Sequence, residues 1–132
     1  GVYSNTDAQD GIPLTETFLP ELFQNHGYYT AAVGKWHLSK ISNVPVPEDK
    51  QTRDYHDNFT TYSAEEWQPQ NRGFDYFMGF HAAGTAYYNS PSLFKNRERV
   101  PAKGYISDQL TDEEIGVVDQ NTWPAFYALP GL

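Results

Sequence analysis

The sequence predicts an α/β fold, built as a partial, mostly parallel sheet with flanking helices and long loops. Two segments show the apolar spacing of amphipathic helices, and three short apolar or aromatic segments fit strands. Helical and strand segments alternate along the chain, which is typical of α/β architecture. Three strands and two helices form a small core for 132 residues that carry so much loop. We therefore expect residues 1–132 to form one partial domain that belongs to a larger sheet.

The first helix and the first strand are predicted within residues 17–33. Thr17 can cap the helix, Pro20 is tolerated in its first turn, and Gly27 suits its end. The strand, residues 28–33, lacks polar alternation, as expected of a strand that is covered on both faces. The apolar stripe of the helix consists of Leu19, Leu22, Phe23 and His26.

Two irregular segments flank the second predicted strand. Residues 39–72 show no clean period and contain several prolines, so we interpret them as an insertion or a substrate loop. Residues 72–80 form an aromatic run with glycines and predict the strand. Residues 81–105 are a second irregular excursion, and we interpret its basic cluster as a solvated loop. The cluster consists of Lys95, Arg97, Arg99 and Lys103.

The second helix and the third strand end the chain. Ser107 or Asp108 can cap this helix, and acidic residues favour its N-terminal half. Residues 125–129 predict a strand that stops at a Pro-Gly pair. The stripe expected to pack the helix is Thr111, Ile115 and Val118.

Composition excludes several classes of partner and site. The net charge of −8 argues against nucleic acid, because phosphate binding requires a basic surface. No apolar run approaches the length that crosses a bilayer, so we expect no membrane partner. The absence of cysteine excludes disulfides, thiolate metal sites and a cysteine nucleophile within this sequence. An anionic substrate would need concentrated local positive charge or a metal to overcome the overall repulsion.

A lysine and a histidine follow the first predicted strand at i and i+2. In extended backbone Lys35 and His37 would point to one side, and Trp36 would point to the other and pack in the core. Ligands of open α/β sheets bind beyond the carboxyl ends of strands, so the pair is placed to act on an anionic group. The alternative is a solvated lysine and a structural histidine. His81 follows the second strand and could face the same pocket.

Four segments, in this order, resemble the sulfatases of the alkaline-phosphatase-like superfamily. Residues 27–38, Gly-Tyr-Tyr-Thr-Ala-Ala-Val-Gly-Lys-Trp-His-Leu, are similar to the second sulfatase signature. Residues 17–22 resemble the helix that precedes it, residues 72–80 resemble the Arg-Gly-Phe-Asp strand, and residues 105–113 resemble a later helix. Together they cover most of residues 17–120, apart from the middle loop.

The resemblance implies hydrolysis of sulfate esters by a formylglycine nucleophile, with a divalent cation, usually calcium, holding the sulfate. It implies that Lys35 contacts the sulfate and the formylglycine oxygen, and that His37 accepts a proton from the hydrated aldehyde as sulfate is eliminated. His81 is a further candidate for substrate binding. The implied partners are a sulfated small molecule or glycan and the remainder of the sulfatase domain. The compartment of the parent protein stays open among the periplasm, the exterior and the lysosome.

The family's nucleophile motif and its metal-binding aspartates have no counterpart in this sequence, and Ser39 stands where many members carry glycine. We therefore predict an internal fragment that is inactive alone and holds no metal. Two alternatives stay open. One is a phosphodiesterase or phosphonate hydrolase of the same superfamily, since Lys-x-His alone does not separate the two. The other is a non-catalytic, anion-binding remnant.

Overall fold

A computed structural model describes residues 11–40, 63–81 and 84–121. Two α-helices, α1 (Leu19–Asn25) and α2 (Ile106–Asn121), accompany four strands. The strands are β1 (Ala31–Lys35), β2 (Tyr76–Phe80), β3 (Phe94–Lys95) and β4 (Glu98–Arg99), and they form one sheet in the order β1-β2-β3-β4. This arrangement confirms a partial α/β fold. The strand predicted at residues 125–129 lies outside the described residues.

The parallel pair β1–β2 fixes the edge at which the candidate site lies. Ala31 pairs with Tyr76 and Lys35 pairs with Phe80, so both strands end at the same edge. β3 and β4 add two antiparallel pairs, which makes the described sheet mixed. This hairpin falls within the excursion predicted to be irregular. Its strands have two residues each, too short for a visible period in the sequence.

Side chains alternate between two apolar clusters, one on each face of the sheet. One cluster contains Tyr76, Met78, Leu93 and Ile106, with Val33, Leu110 and Val117 packed against it. The other contains Trp36, Phe77 and Phe94, with Phe18 and Phe74 packed against it. The predicted core position of Trp36 is therefore confirmed. Alternation also places Lys35, two residues after Val33, on the face of the first cluster.

Helix α1 begins one residue later than predicted. Phe18, rather than Thr17, is the N-cap residue, and its N–H donates to the carboxylate of Glu21 at 2.5 Å. The end is as predicted: Gly27 has a φ of 81°, the left-handed conformation common after a helix. Leu19, Leu22 and Phe23 are exposed in the described part of the chain.

The Arg-Gly-Phe-Asp run joins α1 to both long strands. Arg72 is buried, donates to the carbonyl of Glu16 at 2.6 Å and stacks over the ring of Phe18. The carboxylate of Asp75 accepts from the Thr30 N–H at 2.9 Å and from the Gln24 amide at 2.7 Å. The run therefore has a structural role here, because it ties the start of each strand to the helix.

Helix α2 packs through a different stripe from the one predicted. Ile106, Leu110 and Val117 contact the first cluster, whereas Ile115 and Val118 are more than half exposed. The helix also begins before the predicted capping residues. The packing of α2 follows from a polar contact of Glu113, which the spacing of apolar residues in the sequence does not reveal. Glu113 accepts hydrogen bonds from the hydroxyl of Tyr76 and from Lys95, the latter at 2.8 Å, and so fixes the rotation of the helix.

A glycine pair in the parallel ladder sets a strict packing requirement. Gly79 lies opposite Gly34, and a Cβ at Gly79 would clash with the carbonyl oxygen of Gly34. We expect Gly79→Ala to lower the free energy of unfolding by about 1–3 kcal/mol in a chemical denaturation experiment. Gly116→Ala is the matched control, because a Cβ there meets open space within α2 and should stabilise the protein by about 1 kcal/mol. Equal stability of Gly79→Ala and the unsubstituted protein would contradict this packing.

Candidate functional site

Lys35 is the last residue of β1 and its side chain is exposed. The parallel ladder continues past it, because the Trp36 N–H donates to the carbonyl of Phe80 at 3.0 Å. The ammonium is therefore carried at the carboxyl edge of the sheet by backbone that is held on its neighbouring strand. This is the edge at which open α/β sheets bind ligands.

His37 lies in a left-handed backbone conformation, with a φ of 46°. The premise of extended backbone through His37 is therefore wrong, and strand alternation does not set the direction of its side chain. Its N–H donates to the carbonyl of His81 at 3.0 Å. Its Nε2 is buried and has no hydrogen-bond partner among the described residues. A buried ring nitrogen without a hydrogen-bond partner costs stability unless another group, such as a substrate, hydrogen-bonds to it.

His81 is buried at the end of β2, on the face of the Trp36 cluster. Its ring packs edge-on against Phe77 and Phe94, at centroid distances of 5.2 and 4.8 Å. Its Nδ1 lies 2.6 Å from the hydroxyl of Ser63. Lys35 belongs to the opposite face, so the sheet does not bring the two side chains together. The predicted contact of His81 with substrate stays a prediction.

Two buried serines connect His81 to the segment that follows His37. The hydroxyl of Ser63 donates to that of Ser39 at 2.5 Å, and Ser39 donates to the carbonyl of Trp67 at 3.4 Å. The same carbonyl accepts from the indole N–H of Trp36 at 2.9 Å. The sequence does not predict the contact of Ser63, because a single serine in a polar loop forms no recognisable pattern. Ser39 could have been noticed from the sequence, because it stands at a position where glycine is common among the sulfatases that this chain resembles.

The end of the segment 39–72 belongs to the packed structure. Two short 3₁₀ helices, Glu65–Trp67 and Pro69–Arg72, follow Ser63, and the indole N–H of Trp67 donates to the carbonyl of Ile12 at 2.8 Å. Residues 41–62 lie outside the described part of the chain. The substrate-contacting role expected of the segment stays a prediction.

Burial lowers the pKa of His81 to about 4, from an ordinary value of 6.5. The folded protein therefore favours the neutral imidazole. The contribution of neutral His81 to stability is complete above pH 6.5 and is lost as the pH falls towards 4. We expect the free energy of unfolding to fall by about 3 kcal/mol across this range. His81→Gln should remove most of this slope. An unchanged slope in that variant would contradict the assignment to His81.

Acidic side chains change protonation at a lower pH than His81, so their effect on the free energy of unfolding can be separated from the effect of His81. The hydrogen bond from Lys95 is the main cause that lowers the pKa of Glu113 below its ordinary value of 4.5. A carboxylate of this kind stabilises the fold above its unfolded-state pKa and loses that effect as the pH falls below it. Titration of unfolding between pH 6.5 and 5 therefore reports mainly on His81.

A divalent cation does not fit the described residues. Within residues 11–40, 63–81 and 84–121, no group of three or more histidine, aspartate or glutamate side chains converges as metal ligands do. The described helices also include none that is long and apolar enough to span a bilayer. The candidate site offers an exposed ammonium and an imidazole nitrogen that has no partner among the described residues, which suits an anionic group that exchanges a proton.

Comparison with known proteins gives the family. The family model described as Sulfatase matches residues 1–129. Over 120 residues the chain is 98% identical to a protein named "Uncharacterized sulfatase YdeN" from Escherichia coli (strain K12), covering 91% of this chain and 21% of that protein. More distant relatives include human Arylsulfatase G, 37% identical over 61% of this chain and 12% of the relative. An N-acetylglucosamine-6-O-sulfatase from Bacteroides thetaiotaomicron is 31% identical over 79% of this chain and 13% of the relative.

Solved structures agree on the fold. The crystal structure of Ps i-CgsB in complex with k-i-k-neocarrahexaose matches 92% of this chain with a TM-score of 0.65 at 21% identity, and the chain covers 28% of that structure.

The chain spans about a fifth or less of the length of the three relatives named above. On the extent of the family match, the chain belongs to the sulfatase family, and with it to the alkaline-phosphatase-like superfamily.

Proposed function

We propose that this chain is a segment of a longer sulfatase, the parent sulfatase, and that Lys35 and His37 act directly on its sulfate ester substrate. Family membership supports hydrolysis of sulfuric esters as the activity of the parent. The observation that carries the assignment to these residues is the buried Nε2 of His37, which has no partner in the described chain and lies two residues after an exposed lysine.

Lys35 supplies the electrostatic part of the site. A sulfuryl group in transfer carries negative charge on its oxygens, and a fixed ammonium stabilises that charge. The register of β1 on β2 holds the backbone of Lys35 opposite Phe80, so the cation is presented from a rigid element. Positive charge at this point also offsets the overall net charge of −8, which repels anions at long range.

His37 supplies the proton-transfer part of the site. Histidine is the side chain that changes its charge near neutral pH, and a positioned imidazole contributes to proton transfer in the transition state. Nε2, which no described residue hydrogen-bonds, is the atom that would hold or move the proton. The backbone hydrogen bond to His81 holds the other end of the residue in place.

The nucleophile and the metal of the reaction come from outside this chain in our proposal. Formylglycine, derived from cysteine or serine, supplies the nucleophile in sulfatases, and a divalent cation, calcium in most of them, neutralises sulfate charge. The sequence contains no Cys/Ser-x-Pro/Ala-x-Arg motif from which formylglycine is made, and the described residues do not form a cation site. We therefore propose that the isolated 132-residue chain does not turn over sulfate esters.

The substrate in our proposal is a sulfated small molecule or a sulfated glycan. One relative is named for a sulfated amino sugar and another as an arylsulfatase, so both classes occur among proteins similar to this chain. The acidic net charge supports the exclusion of nucleic acid as a partner. The remainder of the sulfatase domain is the proposed protein partner of this segment.

Hydrolysis assays with matched esters test this proposal. We expect the parent sulfatase to hydrolyse 4-nitrophenyl sulfate in the presence of calcium, far faster than 4-nitrophenyl phosphate or bis(4-nitrophenyl) phosphate. Preference for a phosphate ester would instead support the phosphodiesterase or phosphonate hydrolase alternative. Calorimetric binding of sulfate without turnover of any ester would support an anion-binding remnant. Turnover by the isolated chain would contradict the proposed fragment.

A further inference from the structure

We propose that His81 and Ser63 are positioning residues, which hold the turn that carries His37 and do not react themselves. The inference rests on the proposed function of His37. It assigns His81 a different role from the substrate contact that its place after β2 suggests. It also gives a role to Ser63, which lies in none of the segments that resemble the family.

Two hydrogen-bond contacts of His81 act on the same short stretch of chain. Its carbonyl accepts the His37 N–H at 3.0 Å. Its ring reaches Ser63 at 2.6 Å, and Ser63 reaches Ser39, two residues after His37, at 2.5 Å. The turn is thus held immediately before and after Leu38 by one residue of the neighbouring strand.

The conformation of His37 is one that requires such support. A residue with a side chain seldom adopts a positive φ, and His37 has a φ of 46°. Strained conformations of this kind persist only when the surrounding structure determines them from several sides, and they cluster at functional sites. The contacts through His81 and Ser63 supply that determination. Loss of either should let the turn relax and move Nε2 away from its working position.

The hydrogen-bond pattern favours a supporting role for Ser63 over a reactive serine–histidine pair. Ser39 donates to the Trp67 carbonyl, and Ser63 donates to Ser39. With the single Ser63 proton given to Ser39, the Ser63 oxygen accepts from Nδ1–H of His81, which is the tautomer that this pattern favours. A nucleophilic serine would donate its proton to the histidine, which is the opposite direction. Burial also keeps the His81 ring away from solvent, where it would meet a substrate.

Steady-state kinetics of the parent sulfatase on 4-nitrophenyl sulfate tests the positioning role. We expect Ser63→Ala and His81→Ala to lower kcat by about tenfold to a hundredfold, the scale of a misplaced catalytic group, with KM changed by about twofold or less. Ser63→Thr keeps the hydroxyl and should recover most of the activity. Ser92→Ala is the matched control, because Ser92 is equally buried and hydrogen-bonded but contacts Thr85 instead of the turn. Equal kcat values for Ser63→Ala and Ser92→Ala would overturn the proposal.

Nitrogen NMR of the parent sulfatase, labelled with ¹⁵N at histidine, tests the same inference without turnover. We expect His81 to be the Nδ1–H tautomer at pH 7, and the amide of His37 to exchange faster with solvent in Ser63→Ala than in Ser92→Ala. An Nε2–H tautomer for His81, or unchanged protection of the His37 amide, would contradict the inference even if a variant fails to fold. Failure of the unsubstituted protein to hydrolyse sulfate esters would instead contradict the proposed function and leave these two measurements decisive for the turn.

Discussion

Replacing His37 by alanine in the parent sulfatase is expected to lower kcat by about 10²–10⁴-fold while KM changes little. The reason is that a general acid or base acts in the transition state and contributes little to binding of the ground state. The assay is steady-state hydrolysis of an aryl sulfate over a range of substrate concentrations. The structural basis of this expectation is the buried Nε2 of His37, which has no hydrogen-bond partner in the part of the chain that the structure describes.

His26→Ala is the matched control for that substitution. His26 is exposed at the end of α1, where its Nδ1 contacts the carbonyl of Leu22 at 2.7 Å, and it precedes β1, whose opposite end carries Lys35. Its loss should leave both kinetic constants close to those of the unsubstituted protein. If His37→Ala raised KM and left kcat intact, His37 would bind substrate and would not transfer a proton.

Replacing Lys35 by alanine is expected to lower kcat/KM by about 10²–10³-fold, as the loss of one preorganised charge at a reacting anion does. Because the side chain is exposed, the free energy of unfolding should change by about 0.5 kcal/mol or less. Steady-state kinetics and chemical denaturation of the same preparation separate the two effects. Lys103→Ala is the control, since Lys103 is also an exposed cation but lies in the segment before α2. Equal losses in the two variants would indicate a general effect of charge and contradict a role for Lys35 in the site.

Local signals in the sequence predicted the elements that lead to the site. The end of α1 at Gly27 followed from glycine's access to positive φ, which the structure uses there. The strand before Lys35 followed from a run of small apolar residues, although it begins three residues later than predicted. The burial of Trp36 followed from strand alternation. These features depend on neighbouring residues, so periodicity and turn chemistry reach them.

Features that depend on distant residues were missed or predicted wrongly. Periodicity favoured Ile115 and Val118 as the packed side of α2, but the contact of Glu113 with Tyr76 and Lys95 turns the helix to another stripe. The contact of Ser63 with His81 joins residues 18 positions apart and leaves no periodic trace. The left-handed conformation of His37 likewise follows from no pattern in the sequence.

The Arg-Gly-Phe-Asp run shows how a motif can indicate a family without marking its chemistry. Arg72 donates to the carbonyl of Glu16, and the carboxylate of Asp75 accepts from Thr30 and Gln24, so these hydrogen bonds lie within the fold. Gly73 is required because a Cβ would clash with the backbone of Glu21, and its φ of 87° suits glycine. The run resembles the family because the fold needs it, whereas the proposed site rests on Lys35 and His37.

A double-mutant cycle on Lys35 and His37 tests the central claim most directly. Both residues are assigned to one reacting sulfate group, and residues that act as a unit lose their effects non-additively. We predict that kcat/KM for aryl sulfate hydrolysis by Lys35→Ala/His37→Ala lies within about tenfold of the more damaged single variant. A loss equal to the product of the two single losses would show that the two side chains act independently, and it would contradict a shared site.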